Sequence, residues 1–252
     1  MRLKVRRNAG DGYGPYWEDF DIEVKKGMTV LDALFLIRHR QDDSLSFRYS
    51  CRGAVCGSCA MTINGRPRLA CRTQISLLQE DDKLPPLVPI SVQRGPFDPR
   101  VEVLIEPLPN MPVLKDLIVD QTEFFRKYRS LQPWLLQRYP ELERENIMSK
   151  ETETELDRYA TCILCAACYG ACPVNSENEE YLGPAALAKL YRFRIDPRDS
   201  LGGERLDQAP GPSGWLGCRF HTNCFKVCPK AIPPNLAIGK ARQEMKGREG
   251  RA

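Results

Sequence analysis

Polar and apolar residues alternate along "LKVRRN" (3–8) and "FDIEVKK" (20–26). That is the period of a strand with one buried face, and the two runs suit an antiparallel pair. Thr29 stands as N-cap to "VLDALFLIRHRQ", a helix with apolar positions at Leu31, Leu34 and Phe35. "AMTING" (60–65) and "RLACRTQI" (68–75) flank Asn64-Gly65, a dipeptide favoured in two-residue hairpin turns. Further on the period becomes helical: "KDLIVDQTEFFRKYRSL" (115–131), "GPAALAKLYRF" (183–193) and "PPNLAIGKARQEM" (233–245), the last two with proline at or near the first turn. The pattern predicts strands around one helix in the first hundred residues, helices in the second half, and no tandem repeat of long period.

Between the halves lies the proline-rich span "LPPLVPISVQRGPFDPRVEVLIEPLPNMPVLKD", whose prolines break helices and favour extended chain; its middle is read as a domain boundary. The 252 residues suffice for one large domain or two ordinary ones, and 42% hydrophobic residues supply a core. No run approaches the roughly eighteen apolar residues of a membrane span; "VLDALFLI" (30–37) is short and interrupted by Asp32. The start "MRLKVRRN" has no apolar segment after its basic residues, so neither a secretory nor an organelle leader is expected. The net charge of +4, from 37 basic and 33 acidic residues, demands no anionic partner. The basic end "GKARQEMKGREGRA" reads as a solvated tail, and no nucleic-acid partner is expected.

Cysteine changes the picture. There are eleven, an odd number, in a chain with no export signal, which argues for metal and against a disulfide framework. Cys51, Cys56, Cys59 and Cys71 have the C-x4-C-x2-C…C spacing of plant-type ferredoxins, which hold a [2Fe–2S] cluster. Three thiolates must wrap a small anionic group, and Gly53 and Gly57 allow the backbone to come close. A zinc site would instead favour C-x2-C pairs.

Cys162, Cys165, Cys168 and Cys172-Pro173 form C-x2-C-x2-C-x3-C-P, the bacterial ferredoxin run, in which the fourth cysteine ligates the other of two clusters. A second run exists: Cys218, Cys224 and Cys228-Pro229, with His221 where its second cysteine would stand. The exchange rule assigns Cys162, Cys165, Cys168 and Cys228 to a [4Fe–4S] cluster. It leaves Cys172, Cys218 and Cys224 for a second cluster, for which [3Fe–4S] is the simplest. All eleven cysteines are then used. His221 either ligates a fourth iron or lies beside the open corner of a three-iron cluster, and the second reading is preferred. His39 ends a helix, where a surface role suffices. "GDGYG" (10–14) lacks the spacing and setting of a dinucleotide fingerprint and reads as a loop.

Together "YSCRGAVCGSCAMTINGRPRLAC", "PLPNMPVLKDLIVD", "CILCAACYGACPV", "LGPAALAKLYRFRIDPRDS" and "NCFKVCPKAI" resemble the iron–sulfur subunit of succinate dehydrogenase and fumarate reductase, over nearly the whole chain. The resemblance implies an α+β chain: a β-grasp, plant-type ferredoxin domain over 1–106, then an all-α, bacterial-type two-cluster domain over 107–252. It implies an electron wire with no dicarboxylate site of its own. A flavoprotein partner carrying FAD oxidises succinate, or reduces fumarate in reverse. Electrons cross the [2Fe–2S], [4Fe–4S] and [3Fe–4S] clusters in that order and reach a quinone beside a membrane-anchor subunit. The expected location is peripheral, on the cytoplasmic face of a prokaryotic inner or plasma membrane. Ubiquinone-using members of the family carry a tryptophan five residues after the cysteine matching Cys172; Glu177 stands here. Val174 and Arg219 replace a serine and a histidine of the quinone pocket, and Pro173 alone is retained. These departures imply a different quinone, with menaquinone expected, or a different type of anchor. The alternatives are a soluble thiol-linked fumarate reductase subunit and a zinc-stabilised nucleic-acid module; the first would carry a further cysteine-rich domain, the second would be colourless.

Overall fold

The computed structural model describes residues 1–9, 14–78, 86–88, 98, 100–137 and 147–249. In chain order the strands are β1 (Arg2–Arg7), β2 (Tyr16–Asp21), β3 (Ala60–Ile63), β4 (Arg66–Leu69), β5 (Glu102–Glu106), β6 (Val113–Lys115) and β7 (Ile118–Val119). The helices are α1 (Val30–Arg40), α2 (Ile75–Leu78), α3 (Thr122–Ser130), α4 (Lys150–Ala160), α5 (Ala167–Gly170), α6 (Pro173–Glu177), α7 (Pro184–Arg194), α8 (Asn223–Lys226) and α9 (Pro234–Glu249). Two compact units result. The first is Met1–Gln121 with Ile163–Ala171, the second Thr122–Cys162 with Cys172–Ala252.

The first unit is built on a five-stranded sheet of order β2-β1-β5-β3-β4. β1 pairs antiparallel with β2 and parallel with β5, and β3 is antiparallel to both β5 and β4. Leu3, Val5, Ile63, Val103 and Ile105 are fully buried. β5 is central, and its near-continuous burial explains why "EVLIE" carries no alternation to read. The expected strand at 20–26 lies earlier: the register sets Tyr16 opposite Arg7 and Asp21 opposite Arg2, which completes the ladder. Asn64 and Gly65 have φ of 49° and 68°, the positive values that a two-residue hairpin turn requires. Helix α1 starts as expected, at Thr29, whose hydroxyl accepts from Asp32 N–H while the Asp32 carboxylate accepts from Thr29 N–H.

The helix expected from residue 115 begins only at Thr122. Before it, β6 and β7 form a hairpin whose turn holds Asp116 at φ 46°. The buried Asp116 carboxylate accepts from Arg7 Nε at 3.0 Å, Asn8 N–H at 3.1 Å and Ser46 N–H at 2.9 Å. These long-range bonds override a local pattern that suits a helix. Arg7 also pairs with Glu18 and Asp42.

The second unit centres on α7, almost wholly buried, which packs against α9, α4, α3 and the 3₁₀ segment Gly202–Gln208. Leu187, Leu190, Tyr191, Trp215, Ala237, Ile238 and Ala241 fill its core. Arg205, fully buried, forks onto Asp199 (3.1 and 2.6 Å) and donates to the Gln132 and Trp134 carbonyls at 2.8 and 2.7 Å. Helix α4 has no counterpart in the sequence pattern: only Leu156 and Tyr159 of its residues are buried, and Ser149 caps it. The C-terminal segment, expected to be a solvated tail, is instead the end of α9 through Glu249. Gly10–Tyr13 of the "GDGYG" loop, most of the proline-rich span from 84 to 99, and 250–252 lie outside the described residues.

Candidate metal centres

The loop from Cys51 to Cys59 turns its backbone through three left-handed residues, Arg52, Ala54 and Gly57, at φ 54°, 57° and 75°. This reversal aims N–H groups at sulfur. Gly53, Val55 and Cys56 donate to Cys51 Sγ at 3.4, 3.3 and 3.2 Å, and Cys51 donates to Cys56 Sγ at 3.4 Å. Cys71, from the turn after β4, donates to Cys59 Sγ at 3.5 Å. The four thiols therefore fall into two pairs, Cys51 with Cys56 and Cys59 with Cys71, a division that suits a group with two irons. The Ser58 hydroxyl, helped by the Cys51 and Ser58 N–H groups, brings the Cys56 thiol down to about 6. Burial, with Cys71 and Cys56 alongside, pushes Cys59 up to about 12. The Arg52 guanidinium lies over the Phe35 ring, 4.7 Å from its centroid, which anchors the loop to α1. His39, in the last turn of α1, is exposed and stacks on Phe35.

The two ferredoxin-like runs repeat one backbone. After Cys162, Leu164 and Ala166 are left-handed at φ 52° and 62°; after Cys218, Phe220 and Thr222 match them at 56° and 64°. Ala166 and Thr222 are then the N-caps of the four-residue helices α5 and α8. Cys165 and His221 each sit between such a left-handed pair, so His221 takes the backbone position in its run that Cys165 has in the other.

Cys172, Cys218 and Cys224 come together in the second unit and line one cavity with Pro173, Tyr181 and His221. Each thiol receives backbone donors: Asn175 and Val174 N–H at Cys172, Phe220 N–H at Cys218 (3.4 Å), and Asn235 and Phe225 N–H at Cys224. Burial raises Cys172, and burial with the other two thiols pushes Cys224 up to about 12. Three thiols under a canopy of N–H groups, beside a buried hydroxyl with no nitrogen or oxygen acceptor (Tyr181), fit a compact anionic iron–sulfur group. His221 is exposed.

The remaining four cysteines are divided two and two between the compact units: Cys165 and Cys168 in the first, Cys162 and Cys228 in the second. Cys165 packs on Gly57; a Cβ there would stand 2.8 Å from Cys165 Cβ. Ile232 N–H donates to Cys228 Sγ at 3.3 Å. Lys189, whose ammonium donates to the Ala160 carbonyl at 3.1 Å, places a cation near Cys162. None of the eleven cysteines, all among the described residues, is in a disulfide. Among the described residues no three Cys, His, Asp or Glu side chains form a cage for a single ion.

Sequence reasoning missed Ser58, Tyr181 and Lys189, none of which has a motif of its own. It singled out Glu177 and Arg219 separately, and the structure pairs them with each other as an exposed ion pair.

Residues 2–126 match a family model described as a 2Fe-2S iron-sulfur cluster binding domain, and residues 155–229 one described as a 4Fe-4S dicluster domain. The chain is 39% identical over 242 residues to the succinate dehydrogenase iron-sulfur subunit of Paracoccus denitrificans, covering 95% of this chain and 85% of the relative. It is 37% identical over 227 residues to the fumarate reductase iron-sulfur subunit of Mycobacterium tuberculosis, covering 89% and 83%. A chain of the Mycobacterium smegmatis Sdh1 complex in the apo form superposes with a TM-score of 0.82 at 27% identity, over 98% of this chain and 96% of that one. With an α+β architecture, both kinds of cluster-binding domain and relatives of nearly the same length, this chain belongs to the iron–sulfur subunits of succinate dehydrogenase and fumarate reductase, the electron-transferring members of those oxidoreductases.

Proposed function

We propose that the chain holds three iron–sulfur clusters in series between a flavoprotein carrying FAD and a membrane quinone, in a succinate:quinone oxidoreductase. Cys51, Cys56, Cys59 and Cys71 ligate a [2Fe–2S] cluster in a β-grasp, plant-type domain over 1–106. Cys162, Cys165, Cys168 and Cys228 ligate a [4Fe–4S] cluster, and Cys172, Cys218 and Cys224 a [3Fe–4S] cluster, in a bacterial-type domain over 107–252. The observation that carries this reading is the repeated left-handed backbone of the two runs, with a cysteine at its centre in one and His221 in the other.

When bound, such clusters supply one-electron acceptance and donation. The residues of this chain do the rest. Backbone N–H groups of Gly53, Val55, Cys56, Phe220 and Ile232 stabilise negative charge on sulfur and so favour the reduced states. Burial of Cys59, Cys165 and Cys224 keeps water from the metal.

A membrane-anchor partner is supported by exposed apolar side chains: Phe220, which lines the three-thiol cavity, and Leu216, Phe225 and Leu236, each within two residues in the chain of one that does. No helix among the described residues is long and apolar enough to cross a membrane. The reading is therefore of a peripheral subunit at the cytoplasmic face of a prokaryotic membrane, held by that anchor. Pro173 and His221 line the cavity beside this surface, where the quinone would approach. The Glu177–Arg219 pair, replacing tryptophan and histidine, supports menaquinone. Succinate oxidation is the favoured direction; fumarate reduction, the name carried by the Mycobacterium tuberculosis relative, uses the same route reversed.

Iron and acid-labile sulfide analysis of anaerobic complex, with EPR-monitored redox titration, tests the assignment. Iron and sulfide should equal the sum of the three clusters, with an oxidised three-iron signal present. Zinc, or fewer centres, would overturn it.

A further inference from the structure

Tyr181 is fully buried in the core of the second unit. Its ring is held from one side by Gly217, where an added Cβ would come within 2.8 Å of Tyr181 Cδ2. Its backbone is tied at both ends: the N–H donates to the Asn178 carbonyl at 3.1 Å, and the carbonyl accepts from Asn175 Nδ2 at 3.2 Å. Tyr181 lines the cavity of Cys172, Cys218 and Cys224, and its phenol lies near all three thiols, with Cys218 alongside. That hydroxyl is buried and no nitrogen or oxygen of the protein accepts from it; the group beside it is the Cys218 thiol. An unmet O–H inside a core is destabilising, so this hydroxyl calls for an acceptor in the cavity. A phenol is neutral near pH 7 and has one O–H to donate.

The geometry points to a role for Tyr181 as a positioning and tuning residue: its O–H donates to a sulfur of the cluster held by Cys172, Cys218 and Cys224, and so raises that cluster's reduction potential. The inference rests on the three-cluster reading above. One electron entering the cluster adds one negative charge, shared over its sulfurs, and no proton leaves Tyr181. A donor to those sulfurs favours the reduced state more than the oxidised one. The other three-thiol donors are backbone N–H groups, which only a proline would remove and at the cost of the local backbone, whereas Tyr181 is a side-chain donor that can be deleted without touching a ligand. Among the described residues Tyr159 also has a buried hydroxyl without a nitrogen or oxygen acceptor, but its charged neighbours are Glu155 and Arg158, and it does not line this cavity.

The test is an EPR-monitored redox titration of the assembled complex with Tyr181→Phe. The oxidised three-iron signal should keep its intensity, while at the wild-type midpoint the reduced-to-oxidised ratio falls about tenfold, a shift of about 59 mV for one electron. The potentials of the other two clusters should not move. A more acidic phenol, 3,5-difluorotyrosine placed at position 181, should shift the same potential upward, and it serves if the phenylalanine variant does not assemble. An intact signal with an unmoved potential in either variant overturns the proposal. Absence of a three-iron signal from the wild-type complex is the distinct failure of the cluster reading itself.

Discussion

Gly57 lies against Cys165: a Cβ on Gly57 would stand 2.8 Å from Cys165 Cβ, 2.9 Å from its Cα and 3.1 Å from the Ile163 carbonyl oxygen. The loop of the first thiol group thus touches a cysteine of the bacterial-type run with no side chain between them. The same glycine has φ +75°, so an alanine there meets both a clash with backbone and a strained conformation. Gly57→Ala should destabilise the protein by more than about 1 kcal/mol and lower iron and sulfide content. Gly53→Ala is the control, because its Cβ would meet only the Cys51 carbonyl, at 3.7 Å. Thermal melts and metal analysis read both; equal behaviour of the two variants would refute the contact's importance.

His221 occupies the backbone position that Cys165 holds in the other run, so His221→Cys offers a fourth thiolate to the three-cysteine site. The oxidised complex should lose its three-iron signal, and iron should rise by about one per chain. Persistence of that signal at full intensity would show that the side chain at 221 does not reach the site.

Arg205 and Asp199 form a fully buried pair, so removing one member leaves the other charge stranded. Arg205→Ala should cost on the order of 3–5 kcal/mol in chemical denaturation. Burial would push the Asp199 carboxyl up, but the Arg205 fork and the Leu136 N–H outweigh it and hold it below the usual carboxylate range. A depressed carboxyl contributes stability at every pH above its ordinary range and loses that contribution as pH falls through its folded-state value. Asp199→Asn should therefore flatten the acid limb of stability against pH and leave the neutral plateau lower. A parallel downward shift at all pH values would contradict this.

Glu177 and Arg219 are exposed, so their pairing contributes only about 0–1 kcal/mol to stability. Their substitution should act on the partner surface. Arg219→Ala is expected to lower quinone-linked turnover several-fold, leaving turnover with a soluble dye and the melting temperature close to wild type. Equal loss with both acceptors would assign Arg219 to folding or to the earlier electron path.

The parts of this fold legible in the sequence are those where chemistry is local. Thr29 as N-cap, Asn64 with Gly65, and the cysteine spacings each act within a few residues, and Thr29 and the Asn64-Gly65 turn are found where their patterns point. β5 was hidden because burial on both faces erases alternation, and because prolines flank it. The 113–119 hairpin was hidden because Asp116 is held by Arg7, Asn8 and Ser46, partners that are distant in the chain. At the site, ligands announce themselves by spacing, but their surroundings do not. Ser58 is an ordinary serine until its hydroxyl meets Cys56. Tyr181 is an ordinary core aromatic until its hydroxyl is seen to lack a nitrogen or oxygen acceptor. Glu177 and Arg219 were each conspicuous alone, yet only folding reveals them as a couple.

The strip Ile163–Ala171 belongs to the sheet unit although forty-one residues of helix-unit chain, Thr122–Cys162, precede it. Besides Cys165 on Gly57, it sets Gly170 against Pro109 and offers the Tyr169 and Gly170 carbonyls to Asn110 Nδ2 at 3.2 and 3.1 Å. The polypeptide therefore cannot be dissected into two expression fragments. Any amino-terminal piece ending before residue 163 would leave Gly57, Pro109 and Asn110 without these contacts, and would be expected to aggregate or be degraded even though Cys51, Cys56, Cys59 and Cys71 are all present.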